Sequence, residues 1–262
     1  MYVDSQQPPW RAIRAFRQDN GALLVHLHIV SGGVLGGDSL ALRIDAGPRS
    51  SVQITTTSAT RLYRHREGLP ESMQETTIDV GDEALVEYLP DALIPFAGSR
   101  HRQQTVVRLG SGSRFFWWES LAPGRQAMGE AFAYGSLSIQ TEVRAANRPL
   151  LIENMLLDPA RRPLASLARM GPYTHCANFY AFDMQLAGSK WGELEAQLTA
   201  LCGAASTPGD MMWGSSLIAA HGIVVRGLSI SARRIPATLA AVWTMTRRFL
   251  TGEEPALPRK VY

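Results

Sequence analysis

Six carboxylates in this sequence lie in or beside segments with the residue pattern of β-strands: Asp38, Glu87, Asp91, Glu119, Glu130 and Glu153. A single acid in a strand commonly faces solvent, and that interpretation is open for each of them. Acids enter a protein interior only when they are paired or hydrated, so a shared interior position with Arg64 and Arg125 would predict a polar, wet core. Two carboxylates facing one cleft could also act as the acid and base of a hydrolase.

Two histidines form a second group with possible chemistry. His26 and His28 lie on the same face of an apolar predicted strand, at a spacing that can chelate a divalent metal. No further ligand follows them nearby, which favours a packed or surface pair. His65, His101 and His175 are isolated in the sequence, as is His221.

The glycine-rich segment Gly32–Asp38 predicts a sharp connection between strands, where glycine tolerates positive φ. Asp38 then lies at the mouth of a strand. Two interpretations stay open, a site role for Asp38 and a structural turn in which its carboxylate caps backbone N–H groups. The segment lacks the G-x-G-x-x-G spacing of a dinucleotide fold, and the sequence contains no Walker A loop, G-x-S-x-G or His-Glu-x-x-His motif.

Short alternating segments between Gly, Pro, Asp and Ser turns predict a β-rich fold. The expected strands are 22–30, 39–45, 51–57, 83–89, 103–109, 114–119, 136–145, 150–157, 173–186, 217–225 and 228–235. Two helices are expected in the last third: one with Ser189 as N-cap that stops at Gly203, and one that Pro236 opens and Gly252 ends. Thr55–Thr60 predicts hydroxyls that bond backbone groups at a turn, and the aromatic run 115–118 predicts core.

Composition restricts the class of protein. With 262 residues, 45% apolar and 19% charged, the chain is long enough for a single domain over residues 1–262. No apolar run approaches a membrane span and the N-terminus is polar, so a soluble, cytoplasmic protein is expected, with Cys176 and Cys202 as reduced, buried thiols. The net charge of +3 comes from scattered arginines, which argues against nucleic-acid binding.

Several motifs, in their order along the chain, resemble the urease accessory protein D family, also called H. The resemblance runs from about Pro9 to Pro258-Arg259. It rests on Gly33-Val34-Leu35-Gly36-Gly37-Asp38, Thr55-Thr56-Thr57-Ser58-Ala59-Thr60-Arg61-Leu62-Tyr63-Arg64, Leu89-Pro90-Asp91-Ala92-Leu93-Ile94-Pro95-Phe96, Gly124-Arg125 and Gly129-Glu130. Two departures are a short N-terminus and the tail Lys260-Val261-Tyr262 after Arg259.

The resemblance implies an all-β, β-helix-like stack of sheets with two α-helices. It also implies a non-enzymatic nickel metallochaperone and scaffold that binds urease apoprotein and the accessory proteins F and G, with no resident cofactor and Ni²⁺ as transient cargo. Carried over to this chain, the nickel path would use Asp38, Glu87, Asp91 and Glu130, with Arg64 and Arg125 lining it.

Two alternatives remain open, one to the scaffold function and one to the role of the C-terminal region. A β-sandwich or β-barrel binder or hydrolase could use the same strand carboxylates; one closed pocket would favour it, and a through-going polar channel would favour the scaffold. The region from Pro236 onward is expected to bind accessory protein F through exposed Arg247 or Arg248, unless Trp243 and Phe249 complete the chain's own core.

Overall fold

The computed structural model describes residues 1–258, and Arg259 and the tail after it lie outside the described residues. The fold has two β-sheets packed face to face and a layer of two helices on the outer face of the larger sheet. The predicted β-rich class with two helices in the last third of the chain is confirmed.

The strands are numbered in chain order. The large sheet contains β1 (Trp10–Arg17), β2 (Leu23–Ile29), β4 (Ser51–Thr56), β5 (Thr60–Leu62), β7 (Leu85–Leu89), β8 (Leu93–Pro95), β10 (Arg114–Leu121), β13 (His175–Asp183), β14 (Met211–Leu217) and β15 (Gly222–Ser229). The small sheet contains β3 (Ser39–Ala46), β6 (Ser72–Val80), β9 (Arg100–Leu109), β11 (Ser136–Ala145) and β12 (Arg148–Leu157).

The chain winds between the two sheets, and this winding makes the stack resemble a β-helix. Successive visits to the large sheet add β2, β4, β7 and β10 as parallel neighbours. The intervening visits to the small sheet add β3, β6, β9 and β11, also in parallel. Antiparallel strands then extend both sheets beyond β10 and β11.

Alternation along β10 shows why two separate cores form. Phe115 and Trp117 point between the sheets, whereas Phe116 and Trp118 point toward the helices. Successive side chains of a strand leave opposite faces, so one aromatic run fills both layers. The predicted core role of this run is confirmed.

The helices are α1 (Gly188–Ala205) and α2 (Ile235–Thr251). The start of α2 near Pro236 and its end at Gly252, which adopts φ 71°, are as predicted. Ser189 is not the N-cap of α1, because the helix begins at Gly188 after Ala187, and it continues past Gly203 to Ala205. Within residues 1–258, neither helix is long and apolar enough to cross a membrane.

Several strand predictions need correction. The structure adds β1, β5, β6 and β8, which the sequence analysis does not predict, and the predicted pair 217–225 and 228–235 is instead β14 and β15. Gly227, which falls between the two predicted strands, lies within β15, where a Cβ atom would come 2.6 Å from the indole ring of Trp213. Glycine is required there because a side chain would clash with that ring.

Gly33 in the glycine-rich segment has a similar steric role. A Cβ atom there would lie 2.6 Å from both the Arg61 carbonyl oxygen and the Tyr63 ring. Gly192 in α1, by contrast, has open space around it and no positive φ.

We predict opposite effects of alanine at these two glycines. Gly33→Ala should lower the free energy of unfolding by roughly 1–3 kcal/mol through overpacking. Gly192→Ala should raise it by about 0.5–1 kcal/mol, because alanine favours an exposed helix. Denaturant unfolding followed by circular dichroism measures both, and a neutral Gly33→Ala would contradict the close approach.

His101 supplies a pH-dependent contribution to stability. Its side chain is buried in the small sheet, with Nδ1 2.9 Å from the Ser72 hydroxyl oxygen. Burial lowers the pKa of His101 to about 4, only partly opposed by a hydrogen bond involving Ser72. Below its unfolded pKa of about 6.5 the unfolded chain therefore takes up a proton that the folded protein resists.

Acidification from about pH 6.5 to 4 should therefore remove roughly 3 kcal/mol of stability through this group. His101→Gln, which cannot titrate, should flatten the slope of unfolding free energy against pH across that window. Urea unfolding at a series of pH values measures the slope. Equal slopes for the two proteins would rule out a buried neutral histidine.

Candidate functional site

The motif-bearing loops meet at an aromatic and charged cluster. The Tyr63 ring meets the Phe96 ring edge-on at 5.1 Å, and the Arg125 guanidinium lies 4.3 Å from the Phe96 ring centre. Arg125 Nε donates to Glu130 Oε2 at 2.9 Å, and the same oxygen accepts from the Ala97 amide. The hydrogen bond from Arg125 lowers the pKa of Glu130. Arg125 and Glu130 therefore hold these loops together.

Asp38 and Arg64 have backbone partners in the same region. Asp38 Oδ2 accepts from the Leu35 amide at 2.8 Å, which is the capping geometry of the structural alternative. Arg64 Nε lies 3.5 Å from the carbonyl oxygen of Ala97. Both side chains shape turns at the ends of strands.

Glu87 lies in the other layer of the protein, between the large sheet and α2. Its carboxylate accepts from Arg247 Nε at 3.0 Å, Trp243 Nε1 at 2.9 Å and Gln53 Nε2 at 3.1 Å. Burial raises the pKa of Glu87, and these donors oppose the shift. Arg247, expected to be exposed, is only 1% exposed, because it forms this ion pair. Trp243 and Phe249 also pack inward, so the aromatic side chains of α2 complete the chain's own core.

Asp91 borders the space between the sheets. Its Oδ2 accepts from the Thr56 hydroxyl at 3.1 Å, and its amide donates to the same Thr56 oxygen at 2.7 Å. The Thr55 hydroxyl donates to the Leu89 carbonyl at 2.7 Å. The predicted backbone bonding of the threonine run is thus confirmed.

A layer of polar side chains crosses the otherwise apolar space between the sheets. In the small sheet, strand register aligns Thr76, Thr105, Thr141 and Glu153 in one row and places Gln74 beside Gln103 in the next. In the large sheet, register aligns Glu119, Asn178 and Arg226. We call these nine residues the polar layer. Ile78, Val107 and Val143, one row further along the small sheet, belong to the apolar core.

Contacts join the polar layer from one sheet to the other. Asn178 Nδ2 donates to Glu119 Oε1 at 2.9 Å, and the Tyr180 hydroxyl donates to Glu153 Oε2 at 2.6 Å. Glu153 also forms an ion pair with Arg226. Burial raises the pKa of Glu119, against the hydrogen bonds from Asn178 and Tyr180. A half-buried carboxyl group is therefore held in the middle of the layer.

Two voids lie alongside the polar layer and are lined in part by its residues. A cavity of about 60 Å³ extends from Trp10, Thr60 and Asp91 to Glu119, and it has room for a few water molecules. A cleft of about 750 Å³ opens between β12 on one side and β14 and β15 on the other. The two voids share Glu119, Ile139, Met155, Cys176 and Asn178. The voids adjoin at these residues, and we call the pair of voids the route. Its shared stretch has the apolar Ile139 and Met155 on the small sheet and the polar Glu119 and Asn178 on the large sheet.

The histidines do not form a metal site in the part of the chain that the structure describes. The ring of His26 meets the Phe16 ring at 5.9 Å, and His28 Nδ1 lies 3.4 Å from the Thr57 hydroxyl oxygen. Within residues 1–258 no three His, Cys, Asp or Glu side chains are grouped so as to hold a metal ion.

Sequence reasoning singled out Glu119 and Glu153 among the strand acids but did not include them in the expected path. It missed Asn178, Arg226 and the Gln/Thr rows altogether. A signal was present, since Gln74-Glu75-Thr76 and Gln103-Gln104-Thr105 repeat the same polar pair at strand spacing. Matching such repeats between strands could have located the layer.

Comparisons with known proteins agree on one family. The family described as UreD urease accessory protein matches residues 2–262. A urease accessory protein UreD from Herpetosiphon aurantiacus is 39% identical over 260 residues, covering 99% of this chain and 90% of the relative. Those from Deinococcus radiodurans and Dechloromonas aromatica are each 30% identical, covering 98% and 87% of this chain and 88% and 76% of the relatives.

The neighbouring residues Arg247 and Arg248 allow a matched test of the Glu87 site. Arg247→Met should cost about 3–5 kcal/mol of unfolding free energy, because Glu87 would keep a buried charge without its partner. Arg248→Met removes an exposed pair with Glu254 and should cost less than about 1 kcal/mol. Guanidinium unfolding compares the two variants, and similar losses would mean that Glu87 does not depend on Arg247.

Proposed function

This chain belongs to the UreD family of urease accessory proteins, and from that premise we propose that it is a scaffold that conducts nickel to urease apoprotein. As a member of this family it serves urease maturation and is not an enzyme, which sets aside the hydrolase alternative. In the proposed role it binds urease apoprotein on one side and the accessory proteins F and G on the other. Ni²⁺ is transient cargo.

The observation that supports conduction is the continuous polar layer between the two sheets. Apolar side chains would exclude a hydrated cation from that space, and the polar row replaces them at one level across four strands of the small sheet. Ni²⁺ accepts N and O ligands. Isolated carboxylate, amide and hydroxyl oxygens would bind it at modest affinity, and modest affinity at several points permits release.

Within this proposal the acids divide into two groups. Asp91, Glu119 and Glu153 border the voids and would contact the ion. Asp38, Glu87 and Glu130 are bonded to Leu35, Arg247 and Arg125, and we propose that they hold the walls of the route in place. Arg64 and Arg125 belong with this supporting group.

We expect α2 to act in the same supporting way. Its aromatic side chains and Arg247 are buried against the large sheet, which leaves the exposed Arg248 for contact with solvent or a partner. Binding of accessory protein F would then depend on the integrity of this layer.

Replacing Glu119 by methionine tests conduction. Glu119→Met should lower nickel per urease active site at least about tenfold, because an apolar neck imposes several kcal/mol of desolvation on a cation. The control is Glu142→Met, which removes a strand acid that pairs with Arg144 on the outer face of β11. Nickel is measured by mass spectrometry on urease purified from cells that express the complete accessory set.

Co-purification with F and G should be unchanged in both variants. Equal nickel content with Glu119→Met and Glu142→Met, in complexes that assemble normally, would eliminate the route and leave a docking role alone.

A further inference from the structure

An ion pair closes the polar layer at its cleft end. Arg226 extends from β15 of the large sheet and Glu153 from β12 of the small sheet, so their contact links the two sheets. Both residues line the cleft of about 750 Å³. The Arg226 side chain is 54% exposed, so it has room to leave Glu153 without disturbing the core.

Both oxygens of the Glu153 carboxylate are occupied. Oε1 contacts the Arg226 guanidinium, and Oε2 accepts from the Tyr180 hydroxyl at 2.6 Å. The same Tyr180 oxygen lies 3.4 Å from Glu119 Oε1. A cation in the cleft therefore finds Glu153 already paired with Arg226.

We propose that Arg226 determines which cations enter the polar layer: its guanidinium occupies Glu153 at rest, and an entering divalent cation must displace it. The attraction between a carboxylate and a dication is twice that for a single charge at the same distance, so the exchange favours a divalent ion over a monovalent one. This inference rests on the proposed function, because selection among cations is useful only if cations pass through the polar layer. Arg226 is thereby a selectivity-determining residue at the cleft mouth.

Cys176 provides a native reporter for the test. It lines both voids and is half-buried, contrary to the expectation of two buried thiols, whereas Cys202 is buried in the helix layer. Burial raises the pKa of Cys176 to about 12, so its modification will be slow. The isolated protein is treated with cationic, neutral and anionic methanethiosulfonates, and peptide mass mapping assigns the product to Cys176. The ratio of the cationic to the neutral rate cancels any change in thiolate fraction.

Arg226→Gln should raise the ratio of cationic to neutral rates about tenfold, while Arg226→Lys, which keeps the charge, should stay within about twofold of the native protein. The anionic rate should fall or stay constant in Arg226→Gln. The matched control is Arg234→Gln, which removes an exposed pair with Asp210 outside the cleft and should leave all ratios unchanged. An unchanged ratio in Arg226→Gln would overturn the proposal, and so would an Arg226→Lys protein that behaves like Arg226→Gln.

This experiment contains no nickel, urease or accessory protein, so its outcome is separable from that of the proposed function. A raised ratio together with urease nickel that is insensitive to Glu119→Met would retain the selectivity of Arg226 and refute nickel conduction. An unchanged ratio together with nickel loss in Glu119→Met would refute the role of Arg226 and retain conduction.

Discussion

Polar side chains inside a two-sheet core must find partners at the same level, because a buried polar group without a hydrogen bond costs several kcal/mol. Strand register here places Thr76, Thr105 and Thr141 level with Glu153, opposite Glu119 and Asn178. The two acids have partners at this level, because Glu119 accepts from Asn178 and Glu153 from Tyr180. A slip of one residue in β6, for example, would turn Gln74 and Thr76 outward and bring Glu75 and Thr77 into the space between the sheets. The parallel winding that fixes the register and the polar route are therefore one structural feature.

The helix layer contains ion-pair and hydrogen-bond contacts that stabilise the fold and lie apart from the route. Because β7 alternates, Val86 and Tyr88 face the other sheet while Glu87 faces α2, where it binds Arg247 and Trp243. Arg247 also reaches the chain beyond the helix through Glu253 and the Glu254 carbonyl. Acids with a similar sequence context thus have different roles: Glu87 binds a helix to the large sheet, and Glu119 faces the voids.

Much of the fold was predictable from the sequence because most inward strand positions are apolar and most turns contain glycine or proline. β6 escaped prediction because its inward residues Ser72, Gln74 and Thr76 are polar, which removes the apolar alternation that marks a half-buried strand. The same residues build the polar layer, so the failure occurs at the candidate site itself. The residues that pair with the acids could not be predicted for another reason. Glu87 and Arg247 are 160 residues apart, and no local sequence pattern indicates such a contact.

A protein that conducts nickel must admit Ni²⁺ to the space between the sheets, and paramagnetic broadening by Ni²⁺ reports such entry residue by residue. The side-chain amide of Asn178 reports from the middle of the polar layer, and that of Asn147, in the exposed turn between β11 and β12, reports from the surface. On titration of the isolated protein with Ni²⁺, the account predicts that the Asn178 signal broadens at concentrations that leave Asn147 sharp, and that Glu119→Met abolishes this effect. An Asn178 signal that stays sharp after surface signals have broadened would contradict the account.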